Sequence, residues 1–420
     1  LQVLIKRKTV LHHKNLSFNN MKYSLLITLS ILGLYSWGQD TWNVADSING
    51  APRTVASSFV VEGEGYAICG LDPSGFRRKV YSYTFLQDDW DDEPSMGGDT
   101  GQGLNRGSAS AFAINNKGYV CLGQGQTNPF FNDLWEFDPT TNVWSQKADF
   151  GGSARRQAVA FVIDTIAYVG TGYDNNGYAK DMYKYSQATN TWTQINDFGG
   201  SARKEAVGFT MGGQGYVGTG DDGVLRNDFW QYQPETDQWI QKANFPGTHR
   251  KGAAGWGIFP QGFICMGEDI NADFKNDLWE YNYFSDTWTQ RANYPGPGRS
   301  GAIAFVLQGA AFVGSGYNGV FNDDMYSYRK VASLDDYYSN SEVNLYPNPS
   351  NGNFKIDIVT TDLDIIIHSL TGQDVTNAFS INKTSKGFDV FNSNAISGNY
   401  IVTCNHTELG AVYHSKIVLL

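Results

Sequence analysis

The sequence predicts an all-β protein: a six-bladed β-propeller closed by a strand near its own N-terminus, followed by a small C-terminal β-sandwich. Three observations predict it. The 420 residues hold 47 glycines and 14 % aromatics but only 17 % charged residues, a balance that suits many short strands joined by turns. An aromatic residue followed seven positions later by tryptophan recurs five times. A strand ending in glycine and an upstream arginine recur six times, in step with those pairs.

At the amino end, residues 1–20 begin without methionine and read as an upstream extension, with translation expected to start at Met21. Residues 21–38 then have one basic residue, an apolar core of about a dozen residues and small residues Ser36 and Gly38, the pattern of a secretory signal peptide. The run falls short of the roughly 20 apolar residues a membrane span needs, so no transmembrane anchor is expected. The formal charge of −11 and the lack of any Lys/Arg-rich run remove the electrostatic reason to expect nucleic-acid binding. Cys69, Cys121, Cys265 and Cys404 are scattered without a CxxC pair, which predicts buried free thiols and no zinc site.

The repeating unit occupies 39–333. Its aromatic/tryptophan pairs are Tyr83/Trp90, Phe137/Trp144, Tyr185/Trp192, Tyr232/Trp239 and Tyr281/Trp288. Two residues before each pair stands another aromatic: Tyr81, Trp135, Tyr183, Trp230 and Trp279. That spacing puts two rings on one face of a strand. Strands upstream end in Gly70, Gly123, Gly172, Gly220, Gly267 and Gly316, where glycine permits a positive φ or a close backbone approach. A sixth unit carries Tyr326 and Tyr328 but has Asp335 where tryptophan is due, while Trp42 precedes the first unit and has no unit of its own. A strand around Trp42 completing the sixth blade balances the count and leaves no open seam.

Arginine strand, glycine-ended strand, then an aromatic and a spaced tryptophan: these residues resemble the Kelch repeat. The family's Gly-Gly doublet is loosened here, with Ile68, Cys121 and Cys265 at the first position in three units. After a polar linker at 334–342 the pattern changes over 343–420, where "LYPNPSNGNFKIDI", "SGNYIVTC" and "SKIVLL" read as turn and strands. Tyr346-Pro347-Asn348-Pro349, Gly352, Phe354, Gly398, Tyr400 and Lys416-Ile417-Val418 make this segment similar to the type A sorting domain of the type IX secretion system of Bacteroidetes. That resemblance implies type IX machinery as a partner, cleavage of signal peptide and sorting domain, and a final location outside the cell or on the outer-membrane surface.

Six arginines, Arg53, Arg106, Arg155, Arg203, Arg250 and Arg299, each precede an aromatic by six positions. Propeller geometry places the first strand of every blade along the central channel, so the arginines are expected as a ring near one mouth. There they suit a carboxylate or an anionic glycan. Against this stands a structural reading, in which they pair with Asp133, Asp181, Asp228, Asp277 and Asp324 at the start of the third strands. The first unit has Lys79 at that place. Loops between second and third strands add Phe130, Phe131, Tyr173, Phe274 and Tyr317 as candidate platforms and Glu268, Asp174, Asp221, Asp222 and Asp269 as carboxylates. Arg53, Arg106, Arg155, Arg203, Arg250, Arg299, Tyr173, Glu268 and Tyr317 are the candidate ligand-binding residues.

Two enzymatic readings follow from the Kelch resemblance. A galactose oxidase-type copper centre needs two histidines, and His249 is the one histidine within 39–333. A metal-independent glycan-active enzyme such as a sialic-acid mutarotase needs acid–base residues only, and Glu268 would serve. The residues favour an exported binding module for a protein or glycan ligand over the enzyme. No catalytic residue, cofactor or metal is assigned.

Overall fold

The structure, a computed structural model, describes residues 40–330 and 344–419 except 51, 99–103, 128–129, 347–349, 351–352, 358–362, 370–374, 385–386, 394–396 and 407–411. The signal peptide, the upstream extension, the linker 334–342, Pro347–Pro349 and Gly352 therefore lie outside the described residues.

Residues 40–330 form six four-stranded antiparallel sheets. The first comprises, from inside outward, Ser57–Val61, Glu64–Ile68, Val80–Thr84 and Asp89–Glu93. Equivalent sheets begin at Ser110–Ile114, Val159–Ile163, Val207–Met211, Ala254–Ile258 and Ile303–Leu307. In the last, the outer strand is Thr41–Ala45, which pairs with Met325–Arg329 so that Trp42 stands opposite Tyr328.

The inner strands alternate buried and half-buried residues, Ile258 excepted, because one face packs into a core shared with the next sheet and the other against the preceding sheet, as Ala111 and Ala113 do against the cluster of Phe59. Neighbouring sheets interlock through aromatic rings. The Phe59 ring lies over Gly118 of the next sheet, where an added Cβ would sit 2.0 Å from the ring, so only glycine fits. Gly123 has φ +100° and an added Cβ would meet the Gly107 carbonyl at 2.9 Å, which explains why the second strand ends in glycine. The spaced tryptophans tie one sheet to the preceding one: the indole N–H groups of Trp90, Trp144, Trp192 and Trp288 donate to Asp46, Pro94, Ala148 and Ala243 carbonyls at 2.9–3.0 Å. Trp42 does the same to Ala292 at 2.9 Å.

One expectation needs correction. The arginine does not open the inner strand. It precedes or joins a separate pairing ahead of that strand: Arg155–Arg156 pairs with Tyr173–Asp174, while after Arg53, Arg203 and Arg299 the next residue makes a single bridge. Two residues after each arginine the chain turns through a left-handed residue: Val55, Ser108, Gln157, Glu205, Gly252 and Gly301 have φ between +47° and +64°. These six residues form a cycle of backbone hydrogen bonds. Ser108 N–H donates to Val55, Gln157 to Ser108, Glu205 to Gln157, Gly252 to Glu205, Gly301 to Gly252, and Val55 back to Gly301, at 2.8–3.1 Å. Four of the six carry a side chain in a conformation that disfavours one, which the cycle of bonds compensates.

Residues 344–419 form two further sheets, one of Asn344–Tyr346, Phe354–Asp357, Gly387–Asn392 and Phe379–Thr384, the other of Leu363–Ser369, Gly398–His406 and Val412–Leu419. Phe354, Ile356, Phe388 and Val390 from the first and Ile367, Tyr400, Val402 and Leu419 from the second share one core. The four cysteines are free and buried, and burial pushes the Cys69 and Cys404 thiols up to about 12.

Candidate functional site at the inner end of the six sheets

The arginines come first because the sequence singles them out. Each is at most 1 % exposed. Arg155 shows why. Its Nε donates to Ser153 O (3.0 Å), Nη1 to Thr171 O (3.1 Å) and Asp181 Oδ1 (2.6 Å), and Nη2 to Ser153 Oγ (2.8 Å) and Asp181 Oδ2 (2.8 Å). All five guanidinium hydrogens are used. Arg203 and Arg250 repeat the arrangement with Asp228 and Asp277, and Arg106 and Arg299 make the same bidentate pair with Asp133 and Asp324. Arg53 donates to Cys69 O at 3.2 Å and lies over the Tyr81 ring.

The segment "FGGSAR" builds this arrangement. Phe150 and Phe198 lay their rings against Arg155 and Arg203, at 5.2 and 4.9 Å. A Cβ on Gly152 or Gly200 would press on the guanidinium, at 3.0 and 2.8 Å. Trp135, Trp230 and Trp279 donate their indole N–H to Asp133, Asp228 and Asp277 at 2.7–2.8 Å, so the aromatic at that position anchors the carboxylate. Burial raises the Asp228 and Asp277 carboxyls, but the hydrogen bonds and charge of Arg203 and Arg250 outweigh it and hold both below the usual range. Expected at the channel mouth, the six arginines are instead sealed behind it, because the left-handed residue turns them away from the inner strand.

What does face the centre is different. A cavity of about 220 Å³ is lined by residues of all six repeats, mostly from the turns just before the inner strands, among them Ser108, Gln157, Glu205, Lys251, Glu268 and Ser300. A second space of about 180 Å³ runs along the inner strands, walled by small residues such as Ala56, Ala109, Ala158, Ala206, Ala253 and Ala302. Gln157 Nε2 donates to Glu205 Oε1 at 2.5 Å. Gln157 Oε1 and Glu205 Oε2 are buried with no hydrogen-bond partner among the described residues. Burial raises the Glu205 carboxyl, opposed by Lys204 and Lys251 and reinforced by Asp221 and Glu268. Lys251 Nζ stands 3.7 Å from Glu268.

Of the loop candidates, Glu268 alone joins the cavity wall. Asp174, Asp222 and Asp269 close their own turns on backbone N–H groups at 2.7–3.2 Å. Tyr317 packs edge-on against Phe274 and Phe321, and Phe131 covers Arg106 at 3.9 Å. Tyr173 sits near two cations, Arg156 and Lys204, at 5.7 and 5.5 Å. Gln157, Glu205, Lys251 and Ser108 escaped the sequence reading. Their signal was positional, since all lie one or two residues after a repeated arginine. Among the described residues no group of three or more His, Cys, Asp or Glu side chains could hold a metal ion.

Comparison with known proteins agrees with this geometry. Residues 58–255 match the KLHDC2/KLHL20/DRC7 Kelch-repeats domain, and residues 344–419 match the secretion system C-terminal sorting domain. The solved structure of YjhT superposes with a TM-score of 0.57 over 68 % of this chain and 96 % of that one, at 14 % identity, a likeness of fold alone. No curated protein matches the sequence. The chain therefore carries a Kelch-repeat domain of β-propeller fold and, behind it, a secretion system C-terminal sorting domain.

Proposed function

We propose that the protein is an exported six-bladed Kelch propeller, closed by the strand Thr41–Ala45, that binds a protein or glycan ligand at the mouth of its channel. The domain limits 39–333 and 343–420 belong to this reading. The observation that carries it is the cavity wall: residues of all six repeats converge there, and Ser108, Gln157, Glu205, Lys251 and Glu268 bring polar groups to it. Closure is supported by Trp42 opposite Tyr328, by the bond from Trp42 to Ala292, and by the return of the backbone cycle from Val55 to Gly301. The sorting domain implies handling by the type IX machinery and a location outside the cell or on its surface. Among the described residues no helix is long and apolar enough to cross a membrane.

The test is a screen of the full chain against immobilised glycans and against extracellular proteins, with Lys251→Ala as the cavity variant. A ligand retained by the wild type and weakened by Lys251→Ala supports the reading. A ligand held equally by both places binding elsewhere on the surface.

A second reading, a metal-independent enzyme on a glycan, is favoured by Glu268 in the cavity wall beside Lys251. Glu268→Gln separates the two. A binder shows no glycan turnover with or without the substitution, whatever the change in its affinity. An enzyme using Glu268 as acid or base loses turnover by about two orders of magnitude or more.

A further inference from the structure

The residue after each repeated arginine faces a fixed position in the loop between the second and third strands. The pairs are Thr54 with Leu71, Gly107 with Gln124, Arg156 with Tyr173, Lys204 with Asp221, Lys251 with Glu268 and Ser300 with Tyr317. Wherever the first member is lysine, the second is a carboxylate, at 3.6 Å for Lys204–Asp221 and 3.7 Å for Lys251–Glu268. Arg156 breaks that rule. It faces a tyrosine, and among the described residues no carboxylate lies within ion-pair distance of it.

Its surroundings are nevertheless built. The Arg156 guanidinium carbon lies 5.7 Å from the ring centres of both Phe130 and Tyr173, so two aromatic rings flank the cation. Nη1 donates a short hydrogen bond to Gln124 Oε1, a neutral group that orients the fork without cancelling its charge. Nε is buried and has no hydrogen-bond partner among the described residues. Lys204, on the other repeat, also approaches the Tyr173 ring at 5.5 Å. Contrast Arg155, its neighbour in sequence, whose five hydrogens are all used and whose charge Asp181 balances.

We propose that Arg156 is an anion-recognition residue at the rim of the channel mouth, taking the carboxylate of a small organic ligand. The planar fork, oriented by Gln124 and flanked by Phe130 and Tyr173, suits in-plane hydrogen bonding to a carboxylate. Arg156 adjoins Gln157 of the cavity wall, so a carboxylate held there tethers its ligand at the cavity. This rests on the mouth being the ligand site, as proposed above, and adds the charge that the site selects.

Two sources could present the same carboxylate, an acidic sugar or the free C-terminus of a peptide. Calorimetric titration of the full chain compares glucuronate with glucose, and an N-acetylated tripeptide acid with its amide. At least one acid should bind about ten- to hundredfold tighter than its neutral counterpart, as loss of a charge-assisted bond implies. Which acid does so identifies the source. Arg156→Gln should reduce that preference to within about twofold, while Arg156→Lys keeps the charge and part of the preference. Equal binding of acid and neutral probes by the wild type overturns the anion site but leaves the mouth reading standing. So does an undiminished preference in a folded Arg156→Gln. Silence of both acids also overturns it, and the ligand screen with Lys251→Ala then decides the mouth reading separately.

Discussion

At Arg250 no guanidinium hydrogen is idle. Arg250 donates to Thr248 and Met266 carbonyls, Thr248 Oγ1 and both oxygens of Asp277, and it is 0 % exposed. Removing the carboxylate leaves that charge enclosed and uncompensated, so Asp277→Ala should lower unfolding stability by about 3 kcal/mol, read from the urea midpoint. Asp228 and Asp277 have folded values below the ordinary aspartate, near 3.9. Their contribution is present above that value and is lost as pH falls through the lower folded value. Glu205 works in the opposite sense. Its folded value is raised, so the proton-linked stability it supplies is complete below about pH 4.3 and disappears as pH rises through the folded value. A proton on Glu205 Oε2 is also the donor that the two unpartnered oxygens of the Gln157–Glu205 pair lack. Glu205→Gln mimics that protonated state, so the variant should lose the alkaline part of the slope in thermal melts between pH 5 and 9. An unchanged slope means that Glu205 is ionised in the fold.

At the scale of elements, the hairpin joining third and outer strands repeats one device. Tyr83, Tyr185, Tyr232 and Tyr281 donate to Asp88, Asn190, Asp237 and Asp286 at 2.6–2.9 Å. Those turn residues are left-handed, with φ near +50°, and each also accepts a backbone N–H from the preceding sheet's outer strand, as Asn190 does from Ala148 at 3.0 Å. One side chain thus sets a turn and an inter-sheet contact. Trp42 takes part in the equivalent inter-sheet bond from the opposite end of the chain, with its ring 5.4 Å from Tyr294 and 4.9 Å from Tyr328. Trp42→Ala should cost about 3 kcal/mol and expose the edge of Met325–Arg329, seen as a lower melting temperature and concentration-dependent association in size-exclusion chromatography. These strands were legible in the sequence because the tryptophan spacing survives in five repeats and the glycine ends in all six. The left-handed break after the arginine was not, because Val55, Ser108, Gln157 and Glu205 are not residues that announce a positive φ.

For the whole molecule, the sorting domain has its own two sheets and a core drawn from 344–419 alone. Deleting it should leave the melting transition of the propeller intact and retain the protein inside a host that has type IX secretion. Immunoblots of periplasm, cell surface and culture fluid read that outcome. Retained surface or medium signal in the truncated protein means that export does not depend on 344–420.

Repetition, hydrophobic spacing and glycine placement are local properties, and the sequence by itself determined from them the all-β class, the Kelch repeats and the C-terminal sorting domain. It also offered two uses for the repeated arginines and favoured the structural one, pairing with aspartates, because every repeat carries such an arginine. Tertiary structure decided their geometry, because a left-handed residue two positions later swings each guanidinium away from the centre into a closed set of hydrogen bonds. The same turn brings Gln157, Glu205 and Lys251, residues of three separate repeats, to one cavity. Arg155 and Arg156 show the difference most plainly: adjacent in sequence and alike in chemistry, one is paired with Asp181 and the other lies beside the Phe130 and Tyr173 rings, with no carboxylate within ion-pair distance among the described residues. Which of two neighbouring arginines meets a carboxylate depends on the strand each faces, and only the fold specifies that.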